Sequence, residues 1–106
     1  MSTKQQRIVF GYNRGPSNQI ELYELQAQVV KLIFMCYADG ESLREIKRRL
    51  EDMRVVSPQN KPTWSQQTIA NILSYDQYVG DDSYPPIIEK ELFERVRERQ
   101  MHLSSR

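Results

Sequence analysis

Residues 42–74 read SLREIKRRLEDMRVVSPQNKPTWSQQTIANILS and contain the strongest structural signals in the chain. Ser42 followed by Glu45 is the pattern of a capping box, in which the serine hydroxyl accepts from the Glu45 amide and the carboxylate reaches back. The pattern predicts a helix that runs to about Met53. The predicted inner side of this helix is apolar and consists of Leu43, Ile46, Leu50 and Met53.

A second helix is predicted over residues 66–74, with Ser65 as its N-cap. Trp64, directly before the cap, is placed to pack onto this helix. Pro58 and Pro62 exclude a continuous helix between the two, because proline lacks an N–H and restricts the residue before it. The predicted inner side of the second helix consists of Ile69, Ile72 and Leu73.

The sequence before this pair predicts a small hairpin and a core helix. Residues 7–13 and 19–24 are rich in β-branched and aromatic residues, and the turn formers of residues 14–18 separate them. Residues 25–38 have helical spacing, and Gly40 suits the left-handed position after a helix. The predicted buried face of this helix is broad. It contains Leu25, Val29, Leu32, Ile33, Cys36 and Tyr37, and it is widened by Val30 and Phe34.

The sequence after the pair predicts a loop over residues 78–86 and a last helix from about Glu89 to Leu103. Apolar positions predict that Leu92, Phe93 and Val96 face inward in that helix. The expected fold class is α+β, mainly α, with a small N-terminal β-hairpin plus four helices that include a helix-turn-helix-like pair.

Length and composition fit one compact domain of 106 residues with a formal charge of +1. A single cysteine, Cys36, excludes an internal disulfide and a zinc site, and we interpret it as a core residue. No run approaches the roughly 18 apolar residues of a membrane span. Because no signal-peptide core follows Met1, we expect a cytoplasmic protein with no membrane partner.

The near-neutral total hides a segregation of charge. Residues 44–61 carry six basic and three acidic side chains, whereas residues 76–94 carry six acidic side chains against Lys90. The distribution predicts a basic face and an acidic face on one molecule.

The residue types needed for catalysis are scattered along the chain. We interpret His102 as a solvated surface histidine and the adjacent Asp81 and Asp82 as solvated acids rather than metal ligands. No nucleophile with a base and no phosphate-binding glycine loop is recognisable. We therefore expect no enzymatic activity in this chain, no cofactor, no metal and no small-molecule substrate.

The outer faces of the two helices in residues 42–74 differ in chemistry. The first is basic, which suits phosphate oxygens. The second bears amides and hydroxyls without charge, and Gln and Asn can contact adenine edges in the major groove. In helix-turn-helix proteins, one helix contacts the bases and the helix before it contacts the DNA backbone. Two ordinary solvent-exposed helix faces would show the same basic and uncharged polar residues. The connection over residues 54–64 is also longer than the turn of a strict helix-turn-helix motif.

Short motifs occur along the chain in a fixed order. They are Phe10-Gly11-Tyr12, A-x-V-V-x-x-I-F-x-x-Y over residues 27–37, Gly40-x-Ser42-Leu43-Arg44-x-Ile46, Leu50, Ser57-Pro58, Trp64-Ser65-x-x-Thr68-Ile69-x-x-Ile72-Leu73, Tyr78-Val79-Gly80, and Pro86-Ile87-Ile88 with Phe93 and Val96. In this order, over about residues 8–97, the chain resembles the recombinase domain of large serine recombinases, a family that includes phage integrases and transposon and sporulation recombinases.

The resemblance implies a DNA-binding module of a longer protein. In the family, a resolvase-like domain with the nucleophilic serine precedes this module and a zinc-ribbon domain usually follows it. We expect residues 1–106 to be a single recombinase domain and a fragment of a larger protein, with the catalytic domain absent and residues 98–106 beginning a linker. The segment 80–86 departs from the family pattern because it is short and acidic, so DNA contact by that loop is not expected.

The expected function is to bind half of a recombination site in double-stranded DNA and to position the catalytic domain. The expected phosphate contacts are Arg44, Lys47, Arg48 and Lys61. The expected base contacts are Gln66, Gln67, Thr68 and Asn71. The second helix has no outward arginine, so guanine contacts from it are not expected. Two alternatives stay open: a protein-interaction module that docks a partner on the acidic residues 76–94 and the last helix, and a stand-alone winged-helix transcriptional regulator.

Overall fold

The computed structural model describes the backbone of residues 9–104 and the side chains of residues 9–102. Two short strands precede four helices, and a 3-10 helix lies between the third and fourth helices. The elements are β1 (Tyr12–Arg14), β2 (Ile20–Leu22), α1 (Glu24–Ala38), α2 (Leu43–Asp52), α3 (Gln66–Ser74), the 3-10 helix Asp76–Val79 and α4 (Lys90–Ser104). The α+β, mainly α fold predicted from the sequence is confirmed.

The hairpin is shorter than predicted. β1 pairs antiparallel with β2, with Tyr12 opposite Leu22. Residues 9–11 are not a strand, because the Tyr12 N–H donates to the Val9 carbonyl at 3.2 Å and closes a turn. Gly11 in this turn has a φ of +109°, which glycine adopts without steric cost. Residues 7 and 8 of the predicted strand lie outside the described residues.

The buried face of α1 only partly matches the predicted one: Ile33, Cys36 and Tyr37 are buried as predicted, whereas Leu25 is not. Leu25 is 72% exposed, and Val29 and Leu32 are only half-buried. The buried residues are Ala27, Val30, Ile33, Phe34, Cys36 and Tyr37. Because α1 is apolar around much of its circumference, packing selects the buried face: the Phe34 ring stacks on Phe93 of α4 with the centroids 5.9 Å apart.

Cys36 is buried, as predicted for a core residue. Burial raises the pKa of its thiol, and the nearby Glu41 carboxylate raises it further. A neutral thiol in apolar surroundings packs as a small hydrophobic side chain.

The predicted loop over residues 78–86 begins inside the 3-10 helix, and Tyr78 is completely buried. Its hydroxyl donates to the Phe10 carbonyl at 2.7 Å, and its own carbonyl accepts from the Ile87 and Ile88 N–H groups. Gly80 follows with a φ of +104°, and an added Cβ would lie 3.0 Å from the Cβ of Pro86. Tyr78 therefore joins the N-terminal segment to the entrance of α4.

α4 is held against the end of α1 by Arg99. The Arg99 guanidinium donates to the carbonyls of Tyr37 at 2.6 Å and Glu41 at 2.8 Å, and it lies 4.1 Å from the centroid of the Tyr37 ring. Tyr37 belongs to the last turn of α1 and Glu41 to the connection that follows it, so Arg99 bonds α4 to the C-terminal end of α1. Within residues 9–104 no helix combines the length and apolar character needed to cross a membrane.

The ends of α2 and α3 follow their local sequence signals. α3 has the predicted bounds, with Ile69, Ile72 and Leu73 buried. α2 ends at Asp52, and Met53, predicted to face inward, is 55% exposed. The chain leaves the helix axis at this point, because the next residue adopts a left-handed conformation. α2 packs against both α1 and α3.

Candidate nucleic-acid interface

The start of α2 is fixed by the predicted capping box. The Glu45 N–H donates to Ser42 Oγ at 3.1 Å, and the Ser42 N–H donates to Glu45 Oε1 at 2.9 Å. The two bonds satisfy donors that would otherwise lack a partner. They set the rotation of α2, which buries Ile46 and Leu50 and turns its basic side chains outward.

The basic side chains of α2 differ in their partners. Arg44 and Arg48 are exposed, and neither guanidinium forms a hydrogen bond or ion pair with residues 9–102. The Lys47 ammonium pairs with Glu51 Oε2 at 3.0 Å. Arg49 pairs with Glu41. Two of the predicted phosphate contacts on α2 are thus free to meet an anion, and the third, Lys47, is already paired.

Glu51 connects α2 to the start of α3. Its Oε2 accepts the Trp64 backbone N–H at 2.8 Å as well as the Lys47 ammonium. The Trp64 N–H, followed by Lys47, lowers the pKa of the Glu51 carboxyl below its ordinary value. Trp64 is buried, and its indole N–H donates to the Val55 carbonyl at 2.8 Å. Trp64, the residue directly before the α3 cap, is therefore bonded both to Glu51 of α2 and to Val55, just after that helix.

The connection between α2 and α3 contains a tight turn built on Ser57. The Ser57 N–H donates to the Lys61 carbonyl at 2.8 Å, and the buried Ser57 Oγ accepts from the Gln59 and Lys61 N–H groups at 3.3 Å each. Asn60 adopts a φ of +63°, which asparagine tolerates in turns. The turn leaves Lys61 exposed, with no partner for its ammonium among the described side chains.

The outer face of α3 presents a pair of connected amides. Gln67 Nε2 donates to Asn71 Oδ1 at 2.9 Å, and both side chains are exposed. Gln66 is exposed next to them. The bond orients the two amides while leaving Gln67 Oε1 and Asn71 Nδ2 available for an external partner. Gln67 and Asn71 therefore share one exposed, uncharged face of α3, and Gln66 is exposed in the first turn of the same helix.

Thr68 is placed differently from the other three. It is half-buried, and its Oγ1 accepts from the Oγ of the Ser65 cap at 2.9 Å. Ser65 in turn accepts the Thr68 N–H at 3.0 Å. Thr68 lines the edge of an open groove of about 500 Å³, which is also lined by Phe10, Gln26, Gln59, Asn71, Tyr75 and Gln77.

The acidic segment of residues 76–94 packs against the hairpin and α4. Pro85 accepts the Tyr12 hydroxyl at 2.7 Å, and Asp81 and Asp82 line a shallow depression together with Arg14. Asp81 Oδ1 accepts the Ser83 N–H at 2.8 Å, which shapes the loop. The basic residues of α2 and the acids of this segment thus belong to different elements of the fold.

Two residues that organise this surface were not predicted from the sequence to do so. Glu51 had a weak signal, since it is an acid among basic residues and lies four positions after Lys47. Ser57 had a stronger one, because serine before a proline in a turn-rich stretch commonly bonds to nearby backbone groups.

Two solved structures share this fold. One, of an LSR–DNA complex, superposes with a TM-score of 0.74 at 22% identity and covers 95% of this chain and 34% of its own. The other comes from work on the attP site of a Listeria innocua prophage and gives a TM-score of 0.73 at 23% identity, covering 93% of this chain and 44% of its own. The chain described here therefore spans less than half the length of either protein.

A sequence model of one protein family also matches this chain. The family is described as Recombinase, and the match covers residues 24–101. It begins at the first residue of α1 and ends within α4, so it includes α2, α3 and the connection between them. Because this match covers most of the sequence, the chain belongs to the Recombinase family.

Proposed function

We propose that this chain is the DNA-binding region of a site-specific serine recombinase. In this proposal it binds one half of a recombination site in double-stranded DNA and positions a catalytic domain of the same protein. Strand cleavage would be carried out by that catalytic domain, and not by residues of this chain. The proposal places the protein in the cytoplasm, at the nucleoid.

The observation that carries the proposal is the amide surface of Gln66, Gln67 and Asn71. All three side chains are exposed and uncharged. Gln67 and Asn71 lie on one side of α3 and are bonded to each other, and Gln66 is the first residue of the helix. Amides can bond to the N6 and N7 atoms of adenine in the major groove, where each base pair shows a distinct pattern of donors and acceptors. The Gln67–Asn71 bond reduces the freedom that the two side chains would lose on binding.

Exposed cations lie on α2, which packs against α3, and on the connection between the two helices. α2 packs against α3, and the Glu51–Trp64 bond fixes the junction between them. Arg44, Arg48 and Lys61 are exposed and have no ion-pair partner among residues 9–102, so we assign them to DNA phosphates. Lys47 belongs to this set by charge, but its ion pair with Glu51 competes with a phosphate. Thr68, at the edge of the amide surface, is assigned to a peripheral base or sugar contact.

The comparisons support the proposal in two ways. The family match includes both helices of the candidate interface. One protein of the same fold was solved as an LSR–DNA complex. We further propose that the parent protein carries a zinc-ribbon domain, and that the end of α4 leads into a linker.

The test is a selection from a randomised duplex library with the full 106-residue chain, followed by titrations of the enriched duplex. We expect an enriched sequence that contains adenines. A variant with Gln66, Gln67 and Asn71 all changed to alanine should bind mixed-sequence DNA as the native chain does and lose the preference. The matched control is Gln28→Ala, which removes an exposed amide from the outer side of α1.

Three results would contradict the proposal in different ways. Failure of the native chain to bind any duplex at low salt would exclude DNA as the partner and favour the protein-interaction alternative. Binding without enrichment would remove the base contacts. Enrichment that persists in the triple variant would place the base contacts on another surface.

A further inference from the structure

Arg54 adopts an unusual backbone conformation at the end of α2. Its φ is +61°, in the left-handed region. Within residues 9–104 the other non-glycine residues with positive φ are Asn18 and Asn60, and asparagine tolerates this region. Arg54 occupies the first position after the helix cap, where glycine is the usual residue. The fold therefore holds an arginine where glycine would cost less free energy.

The fold uses the backbone of Arg54. Its N–H donates to the Glu51 carbonyl at 3.0 Å, and the Val55 N–H donates to the Leu50 carbonyl at 3.0 Å. This pair of bonds is a Schellman motif, which ends the helix and needs a left-handed residue at this position. The turn also directs the Val55 carbonyl toward the Trp64 indole N–H.

The fold does not use the side chain of Arg54. It is exposed, and its guanidinium forms no hydrogen bond and no ion pair with residues 9–102. Glycine would form the same two backbone bonds without a Cβ in a strained position. Stability therefore gives no reason for an arginine here.

Arg54 lies near the start of α3 and lines a cleft there. It lies between Glu51 and Val55, which both bond to Trp64, so it is held beside the N-terminal end of α3. It also lines an open cleft of about 390 Å³ with Glu51, Asp52, Val56 and Pro62. Val56 is 49% exposed, which gives the cleft an apolar surface next to the guanidinium. Exposed arginine side chains are among the groups that contact phosphate oxygens in protein–DNA complexes.

We propose that Arg54 binds a DNA phosphate beside the N-terminus of α3, and that this contact is why arginine occupies a position that favours glycine. This inference rests on the proposed DNA-binding function. It adds a phosphate contact to Arg44, Arg48 and Lys61. It also predicts that removing the side chain has opposite effects on stability and on binding.

The experiment compares Arg54→Gly, Arg54→Ala and the native 106-residue chain by thermal unfolding and by binding to a mixed-sequence duplex at several salt concentrations. Arg54→Gly should raise the unfolding midpoint by about 4 °C, because the strain is removed. It should also lower the slope of log affinity against log salt by about 0.9 and weaken binding about tenfold at 0.1 M salt. Arg54→Ala keeps the strained Cβ, so it should lose the same slope without the gain in midpoint.

One control variant tests for an effect of general charge, and a second variant tests whether the phosphate lies in the cleft. Lys31→Ala removes an exposed cation from α1 and should leave both the midpoint and the slope unchanged. Asp52→Asn removes an acid from the same cleft and should tighten binding to every sequence, because that carboxylate repels the phosphate.

An unchanged slope in Arg54→Gly, with the native chain binding DNA, would overturn the phosphate contact and leave the proposed function intact. A lower midpoint in Arg54→Gly would overturn the explanation by strain. Absence of salt-dependent binding in the native chain would overturn both this inference and the proposed function.

Discussion

The backbone N–H of Trp64 donates to the carboxylate of Glu51 at 2.8 Å, so a side chain of α2 fixes the residue that precedes the cap of α3. The same carboxylate accepts the Lys47 ammonium at 3.0 Å. One acid therefore joins the two helices of the candidate interface and also neutralises one of its cations. The stability of this junction should depend on pH.

Glu51→Gln should lower the unfolding midpoint at neutral pH and flatten its dependence on pH in acid. The folded pKa of Glu51 lies below the ordinary value of 4.5, so the unfolded chain binds the proton more readily than the folded chain. The stabilisation is complete above about pH 4.5 and is lost as pH falls through the folded pKa. Unfolding midpoints measured across this range test the prediction, with the exposed Glu98→Gln as control. Parallel curves for native and Glu51→Gln would contradict it.

Asn71→Ala should reduce affinity by roughly 1–3 kcal/mol for duplexes that carry the preferred base at one position and have little effect on the others. The loss is position-specific because a bidentate amide contact distinguishes one base from the rest. Titrations with a set of single-base variants of the enriched duplex measure it. Ser74→Ala is a matched control on the same helix, since the Ser74 hydroxyl donates to the Asn71 backbone carbonyl. A uniform loss across all duplexes would show that Asn71 acts on the structure of α3.

Arg48→Ala should weaken binding to all sequences alike and lower the salt slope by about 0.9, because a phosphate contact releases condensed counterions. Lys47→Ala should change the slope less, since its ammonium is paired with Glu51, and should lower the unfolding midpoint more. Salt titrations and melting curves of the two variants test the contrast. Equal salt slopes in the two variants would show that the ion pair with Glu51 does not prevent Lys47 from contacting DNA.

Arg99→Ala should reduce the free energy of unfolding by roughly 1–3 kcal/mol, because the carbonyls at the end of α1 lose a charged donor. Amide hydrogen exchange should increase most around Gly40 and Glu41, where the guanidinium binds. Urea unfolding measures the loss, and the exposed Arg95→Ala on the same helix is the control. Equal effects of the two substitutions would show that the contact with α1 does not stabilise the fold.

The features predicted best from the sequence are those determined by neighbouring residues. The Ser42–Glu45 capping box and the Ser65 cap both form, because each needs only a hydroxyl and an amide three residues apart. The exposure of Gln66, Gln67 and Asn71 follows from the same local signals, since the cap fixes where the helix begins and the apolar residues fix its inner side.

The predictions that failed depend on contacts between distant residues. Leu25 was predicted in the core, but spacing cannot choose between two apolar sides of α1, and Phe34 and Phe93 determine the choice. Tyr78 was predicted in a loop, whereas its hydroxyl reaches Phe10, 68 positions away. The left-handed conformation of Arg54 was not predicted either, because arginine gives no local signal for it.

The Arg99 contacts also determine the direction in which α4 ends. Arg99 is bonded to the end of α1, and five further helical residues follow it, so Ser104 lies about 7.5 Å farther along the same axis. One residue inserted between Arg99 and Ser104 would advance the exit point by about 1.5 Å and rotate it by roughly 100°. The helical phase of α4, which the Arg99 contacts fix relative to α1, therefore sets the direction in which the helix ends at Ser104.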